Sequence, residues 1–229
     1  MHIDFAIIDI EKNETEIKEL VNQILAEPIK VKSIACSYFY LKSIKNILSQ
    51  YPELKVNLSC MIDFPCGVSD SKTRLSAIEQ AYKAGADTVD IVMPQNLASN
   101  RKYDKIREDT RILTDYTREK SINTRYILEY RVFDHHCLKK MCEILDGFNV
   151  TEIFPSSCYF LDNLADNLIA SVFLHDNSKN INIYCTGNAW NNNHFNIIQK
   201  TGLYGIRVLS IFALKNLVKI LIEKQKNTQ

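Results

Sequence analysis

A chain of 229 residues that is 46% hydrophobic has the size and composition of one large globular domain. Lys+Arg 28 against Asp+Glu 27 leaves no net field, so a basic nucleic-acid surface is excluded and any anionic ligand must be held by local groups. Seven cysteines, odd in number, irregular in spacing and without a C-x-x-C pair, fit a reduced cytoplasmic protein better than a disulfide framework. The start, Met1 to Asp9, is short and acidic and does not read as a signal peptide. No apolar run approaches the roughly 20 residues that span a bilayer, so no membrane partner is expected.

Short β-branched runs alternate with longer amphipathic ones. Strands are predicted near 3–9, 32–37, 54–63, 88–93, 123–130, 151–155, 181–186 and 205–210. Helices are predicted over 14–26, 40–50, 72–84, 103–120, 135–146, 161–173, 192–201 and 211–224. Strict alternation of eight and eight is the pattern of βαβ units closed into a (β/α)₈ barrel of the TIM type, as a single domain over 1–229. An open doubly wound sheet is the competing architecture.

Local signals support the boundaries. Asp70 or Ser71 can cap the helix that begins near Lys72, and Gly85 follows it. Asp134 precedes His135-His136 as an N-cap, and Gly147 is read as lying just past that helix. The 103–120 segment turns Ile106, Ile112, Leu113 and Tyr116 toward the sheet. The end of the chain, Glu223 to Gln229, is polar and reads as frayed.

A barrel builds its site on the C-terminal ends of its strands. That rule selects Ser37 and Tyr38, Asp63, Asp90 with Met93 to Asn96, Glu129 to Arg131, residues 154–158, residues 184–188 and residues 207–210. Asp90 lies mid-strand in an apolar run, where its carboxylate must point inward and find partners. Asp63, Asp90 and Glu129 fall on three adjacent strands, so an oxygen-ligated divalent metal is conceivable. No histidine is spaced to join them, and a carboxylate–arginine network is the preferred reading. No metal is assigned and no cofactor is called for.

Residues 85–96, Gly-Ala-Asp-Thr-Val-Asp-Ile-Val-Met-Pro-Gln-Asn, lie between Phe64-Pro65-Cys66-Gly67 and Tyr103-Asp104-Lys105-Ile106-Arg107-Glu108-Asp109. Together these resemble the deoxyribose-phosphate aldolase family, class I aldolases on a (β/α)₈ barrel. The resemblance covers about residues 30–215 and is strongest over 62–129. It implies a lysine Schiff base on the sixth strand, a second lysine on the seventh, and a catalytic aspartate at Asp90.

Here the implied lysine positions hold Phe154 and Tyr184. A phenyl ring cannot attack a carbonyl. Ser156 and Ser157 keep hydroxyls where the family has Lys-Thr-Ser-Thr-Gly, and Tyr184 is expected to rest its hydroxyl on Asp90. The family's phosphate grip is eroded too. Thr186 and Gly187 remain near the seventh-strand turn, Asn188 replaces a glycine, and Arg207 to Ser210 replace a Gly-x-Ser-Ser turn. Arg207 is read as either an anion ligand or a wall partner, and Arg131 as a second possible grip. Weak phosphate binding is therefore expected, with preference for a neutral or carboxylate-bearing ligand. Among other lysines only Lys42 and Lys72 fall near the right loops.

The leading expectation is an aldolase-like protein acting on a small carbonyl or sugar-like molecule by acid–base chemistry through Asp90, Glu129 and Tyr184. Ser156, Ser157, Thr186, Gly187, Arg131, Arg207 and Ser210 would bind that ligand. An authentic aldolase with a displaced lysine is one alternative. A catalytically silent binding or partner subunit is the other. A homodimer is compatible with all three.

Overall fold

In the computed structural model, residues 1–9, 11–160 and 163–227 are described. Eight strands, all paired in parallel, close into one barrel in the order β1 to β8. They are β1 (His2–Ala6), β2 (Ser33–Cys36), β3 (Asn57–Ile62), β4 (Thr88–Val92), β5 (Asn123–Ile127), β6 (Glu152–Phe154), β7 (Asn182–Thr186) and β8 (Gly205–Val208). Around them lie α1 (Glu14–Ala26), α2 (Tyr38–Leu48), α3 (Ser71–Lys83), α4 (Gln95–Ser99), α5 (Tyr103–Glu119), α6 (His135–Gly147), α7 (Leu164–Asp176), α8 (Asn192–Lys200) and α9 (Ile211–Asn227).

Short polar side chains start the helices. Asn13 and Glu16 form a reciprocal capping box on α1. Asp70, Asp134, Asn163 and Asn191 accept from backbone N–H groups in the first turns of α3, α6, α7 and α8. Helix α1 buries Ile17, Leu20, Val21 and Ile24, a stripe at helical spacing that faces the sheet.

The strands are shorter than predicted. β3 starts at Asn57 because Pro52–Leu54 makes a 3₁₀ turn closed by Lys55 at φ 50°. β5 ends at Ile127 because Glu129 is left-handed, φ 54°, and opens a 3₁₀ turn at Tyr130–Val132. The five-residue α4 carries too little periodicity to be read in advance. Gly147 is the last residue of α6, and the left-handed residue beyond it is Asn149, φ 57°. On α5 the fully buried positions are Ile106, Asp109, Thr110, Leu113, Thr114 and Thr117, with Ile112 and Tyr116 only half-buried. Residues 161 and 162 of the helix predicted over 161–173 lie outside the described residues, and α7 starts at Leu164. The C-terminal tail is helical to Asn227, and 228–229 lie outside the described residues.

Gly205 opens β8 where a side chain has no room. A Cβ there would sit 2.5 Å from the His2 carbonyl oxygen and 2.6 Å from Tyr184 Cε1. The glycine thus admits the Tyr184 ring into the barrel interior.

Candidate functional site

The barrel interior is held by a four-charge network. Asp90 accepts from Arg125 at 2.6 and 3.0 Å, from Arg207 Nη2 at 2.5 Å, and from Ser59 Oγ at 2.7 Å. Asp4 accepts from Arg207 Nε at 2.5 Å, from Arg125 Nη1 at 2.9 Å, and from the Ser33 hydroxyl. Strand register explains the geometry. Asp90 is paired with Arg125 across β4–β5, and Asp4 with Arg207 across β1–β8. Each arginine reaches its neighbour and then crosses the lumen to the other carboxylate. All four side chains are buried, and Arg125 also meets Glu152 at 3.5 Å, so the charges of Asp4, Asp90 and Glu152 balance those of Arg125, Arg207 and Lys32. A buried ion group of this kind persists only when charges and lone pairs are both satisfied.

Toward the N-terminal end of the barrel, Lys32 donates to Glu152 and, at 3.2 Å, to Tyr204 Oη. Burial works against the Lys32 charge, but these two bonds outweigh it and its pKa is raised.

Phe154 lies inside this cage. Its ring centroid is 3.4 Å from the Arg207 guanidinium carbon and 4.9 Å from that of Arg125. The ring of Tyr184 follows at 4.7 Å and that of Tyr204 stands edge-on to Tyr184 at 5.4 Å. Stacking guanidinium groups on an aromatic face is a favourable way to desolvate them. Above the network an apolar layer closes the lumen. Val92 and Ile127 pack with Phe154, while Ala6, Ala35 and Met61 pack beneath Ile8 and Leu209, and Phe64 touches both groups.

The residues singled out from sequence therefore do not form one site. Asp90 is fully buried and fully partnered. The expected Tyr184–Asp90 hydrogen bond is absent. The Tyr184 hydroxyl is buried with no hydrogen-bond partner, because two arginines and Ser59 have already filled the Asp90 lone pairs. Glu129 is not at a strand end facing Asp90. Its left-handed backbone turns it to the loop after β6, where it accepts from the Ser157 N–H at 2.5 Å.

Ser156 and Ser157 are buried, and their hydroxyls accept from the N–H groups of Cys158 and Tyr159 at 2.8 and 3.2 Å. They shape their own loop. Of the two readings of Arg207, the structure places it as a wall partner of Asp4 and Asp90 and not as a free anion grip. Arg131 lies on the exposed 3₁₀ turn and pairs with Asp166 at 3.3 Å. Thr186 donates its backbone N–H to Asn167 Oδ1 at 2.8 Å, and its buried hydroxyl has no hydrogen-bond partner. Gly187, at φ 134°, donates to the Arg207 carbonyl. Asn188 accepts from the Leu209 N–H at 3.1 Å, tying the β7 and β8 loops together. Ser210 lies just before α9, its carbonyl accepting from Leu214 N–H.

Asp63, Asp90 and Glu129 do not converge as metal ligands would. Asp63 binds Arg74 at 2.7 Å, and Arg74 also holds Asp109 at 2.9 Å. No group of three or more His, Cys, Asp or Glu residues able to hold a metal ion occurs among the described residues. No helix among them is long and apolar enough to cross a membrane.

Sequence reading missed Arg125, Asp4 and Glu152. The signal was present: each is a charged residue at an inward position of a strand, as Asp90 is. The parity argument applied to Asp90 places Asp4 between Ile3 and Phe5, and Arg125 two residues before Ile127, on inward positions too.

Burial raises the pKa of Asp90, but the Arg125 and Arg207 charges outweigh it and hold the carboxyl down at about 2. A folded-state pKa below the unfolded value of about 3.9 stabilises the fold above that value, and the contribution disappears as pH falls through the folded pKa. A carboxylate so shifted contributes on the order of 2–3 kcal/mol at neutral pH. Denaturant midpoints should therefore fall between pH 4 and pH 2, and that acid-dependent loss should shrink in Asp90→Asn. Tyr184 is shifted the other way. Burial, with Glu152 and Asp4 adding to it, pushes its phenol well above its ordinary value, which disfavours a role as a proton donor.

Open clefts lie outside the cage. One of about 420 Å³ at the barrel mouth is lined by Ile7, Ile8, Asp9, Lys12, Ser37, Phe39, Tyr40, Met61 and Phe64. One of about 590 Å³ runs between α2 and α3, beside Tyr38, Asp63 and Lys72.

No family model matches the chain. It is similar to a deoxyribose-phosphate aldolase of Clostridium tetani, 25% identical over 142 residues, which are 62% of this chain and 63% of that protein. The chain thus matches less than two thirds of that relative's length. In fold it is similar to QR15, an aldolase, with a TM-score of 0.82, 21% identity and 96% of each chain covered. It is also similar to the deoxyribose phosphate aldolase of Aeropyrum pernix, described as a unique tetramer, with a TM-score of 0.81 and 16% identity. That likeness covers 97% of this chain and 90% of the other.

Proposed function

From its kinship with the deoxyribose-phosphate aldolases, in sequence and in fold, we propose that this chain is an aldolase-like barrel that has given up Schiff-base catalysis and serves as a binding or partner subunit. The observation that carries the reading is the position of Phe154. It stands where the family resemblance implies the reactive lysine, and it is stacked against Arg207 and Arg125. An ammonium there would add a cation to groups whose carboxylates, Asp4, Asp90 and Glu152, are already engaged by Arg125, Arg207 and Lys32.

The acid–base reading has less support. Asp90, Tyr184 and Glu129 are separately buried, and none reaches a common cleft. Phosphate recognition is also weakened, since Arg207 is committed to carboxylates and Arg131 to Asp166. A small-molecule ligand, if one is bound, belongs in the mouth cleft above Met61 rather than beside Asp90. All seven cysteines are free, which supports a cytoplasmic setting.

The test is turnover. Purified protein given deoxyribose 5-phosphate should release no acetaldehyde above a protein-free control. Cleavage that is abolished by replacing one lysine, Lys42 or Lys72 included, would overturn the reading in favour of a displaced Schiff base.

A further inference from the structure

The loops at the C-terminal mouth carry an unusual surface. Among the described residues every exposed Phe or Trp lies on this face: Phe39 in the first turn of α2, Phe160 after β6, Trp190 after β7 and Phe212 in the first turn of α9. Tyr38 and Tyr159 flank them, and the six side chains are between 42% and 74% exposed. The stretches that present them are free of charge, the first charge beyond Phe160 being Asp162. Though 24% of the chain is charged, no Asp, Glu, Lys or Arg occurs in 37–41, 64–69, 154–160, 187–193 or 209–214. Aromatic enrichment with loss of charged residues marks the core of a protein interface.

These loops adjoin in two groups at the same end of the barrel, with Phe39 and Phe64 lining one cleft. Tyr159 meets Phe160 and, across the mouth, Phe64 of the β3 loop at 5.9 Å between ring centroids. Asn216 of α9 donates to the Trp190 carbonyl, and it lies one turn after Phe212 on the same helix face. Asn188 ties the β7 loop to Leu209 after β8.

We infer that this face is the interface of a homodimer in which two copies meet mouth to mouth. The inference rests on the reading above, because such a dimer closes the entrance that a working aldolase would need. Area supports a second copy. At ~150–250 Å² per aromatic side chain, the exposed fractions of these six amount to roughly 700 Å². That exceeds the few hundred Å² a monomer usually leaves bare, and is near the ~800 Å² each partner gives to a standard interface. Charge supports it as well. The charges that border these stretches in sequence, Asp162 past Phe160 with Lys42, Asp70, Lys72 and Lys215, and those of the β1 loop, Asp9, Glu11 and Lys12, are of both signs. A two-fold arrangement can therefore set unlike charges opposite each other at the rim, as isologous contact requires.

Trp190 is the single tryptophan and reports on this face. Sedimentation velocity and tryptophan fluorescence should be followed over concentration for the full chain and for the double variant Phe39→Ser/Phe212→Ser. The inference expects a dimer whose Trp190 emission shifts to the blue as it forms. It expects the double variant to weaken association at least roughly hundredfold, the scale of interface hot spots, with unchanged circular dichroism and melting temperature. A wild-type chain that is monomeric at roughly 100 µM, above the micromolar range for interfaces of this size, would overturn it. So would a dimer that the double variant leaves intact, or flotation with neutral phosphatidylcholine vesicles in place of self-association. A monomer without aldolase turnover would sink this inference alone, whereas lysine-dependent turnover would sink the functional reading beneath it.

Discussion

Phe154→Lys is expected to destabilise the protein by at least about 3–5 kcal/mol, the cost of leaving one buried charge without compensation, and to restore no aldolase activity. The ammonium would replace a ring that lies 3.4 Å from one guanidinium group and 4.9 Å from another. Of the carboxylates that could pair with it, Asp4 and Asp90 each already accept from both arginines, and Glu152 is shared between Lys32 and Arg125. The interior would carry one excess positive charge, and the apolar contacts of Phe154 with Val92, Ile127 and Tyr184 would be lost. Native stabilities are about 5–15 kcal/mol, so a large part of the fold is at stake. Urea unfolding followed by circular dichroism measures the change. A variant as stable as the wild type would mean that the cage has room for a charge.

The second large effect is at Asp90. Asp90→Ala removes the acceptor of Ser59, Arg125 and Arg207 together and leaves two buried guanidinium groups sharing Asp4, with Glu152 at 3.5 Å from Arg125 as the one further carboxylate. The expected loss is again about 3–5 kcal/mol. The sign of the change matters most. A catalytic carboxylate kept for chemistry can often be removed with little loss or even a gain of stability, at the expense of activity. A carboxylate kept to neutralise buried arginines cannot. A shift of the urea midpoint to lower concentration at constant slope fits the second role. An unchanged midpoint would return Asp90 to the first.

The barrel was legible because its signals repeat. Eight apolar runs and eight amphipathic ones gave the order, and Asp70 and Asp134 marked helix starts that the hydrogen bonds bear out. Strand ends were less legible, since Lys55 and Glu129 take left-handed backbone that their residue types do not advertise. The site was the least legible part. Asp90 was placed inside the barrel by its apolar neighbours, but the partners that decide its role are 35 and 117 positions away in sequence. Arg207 illustrates the difficulty. A lone arginine after an apolar run suits an anion grip and a wall partner equally, until the β1–β8 register sets it beside Asp4.

A phenylalanine where the resemblance implies a lysine also has a physical sense. A lysine Schiff base needs an amine that is near its carbonyl and partly neutral. The interior of this barrel is arranged for the opposite purpose: two permanently charged arginines, two matched carboxylates and an aromatic ring between them. Changing one residue cannot convert one arrangement into the other.

The most direct test is chemical trapping. The purified protein would be incubated with acetaldehyde or deoxyribose 5-phosphate, reduced with borohydride, and weighed intact by mass spectrometry. The account predicts only the unmodified mass, with no single-site adduct beyond the slow labelling of surface lysines seen also in urea-unfolded protein. A stoichiometric adduct on one lysine of the folded protein, absent after unfolding, would contradict it.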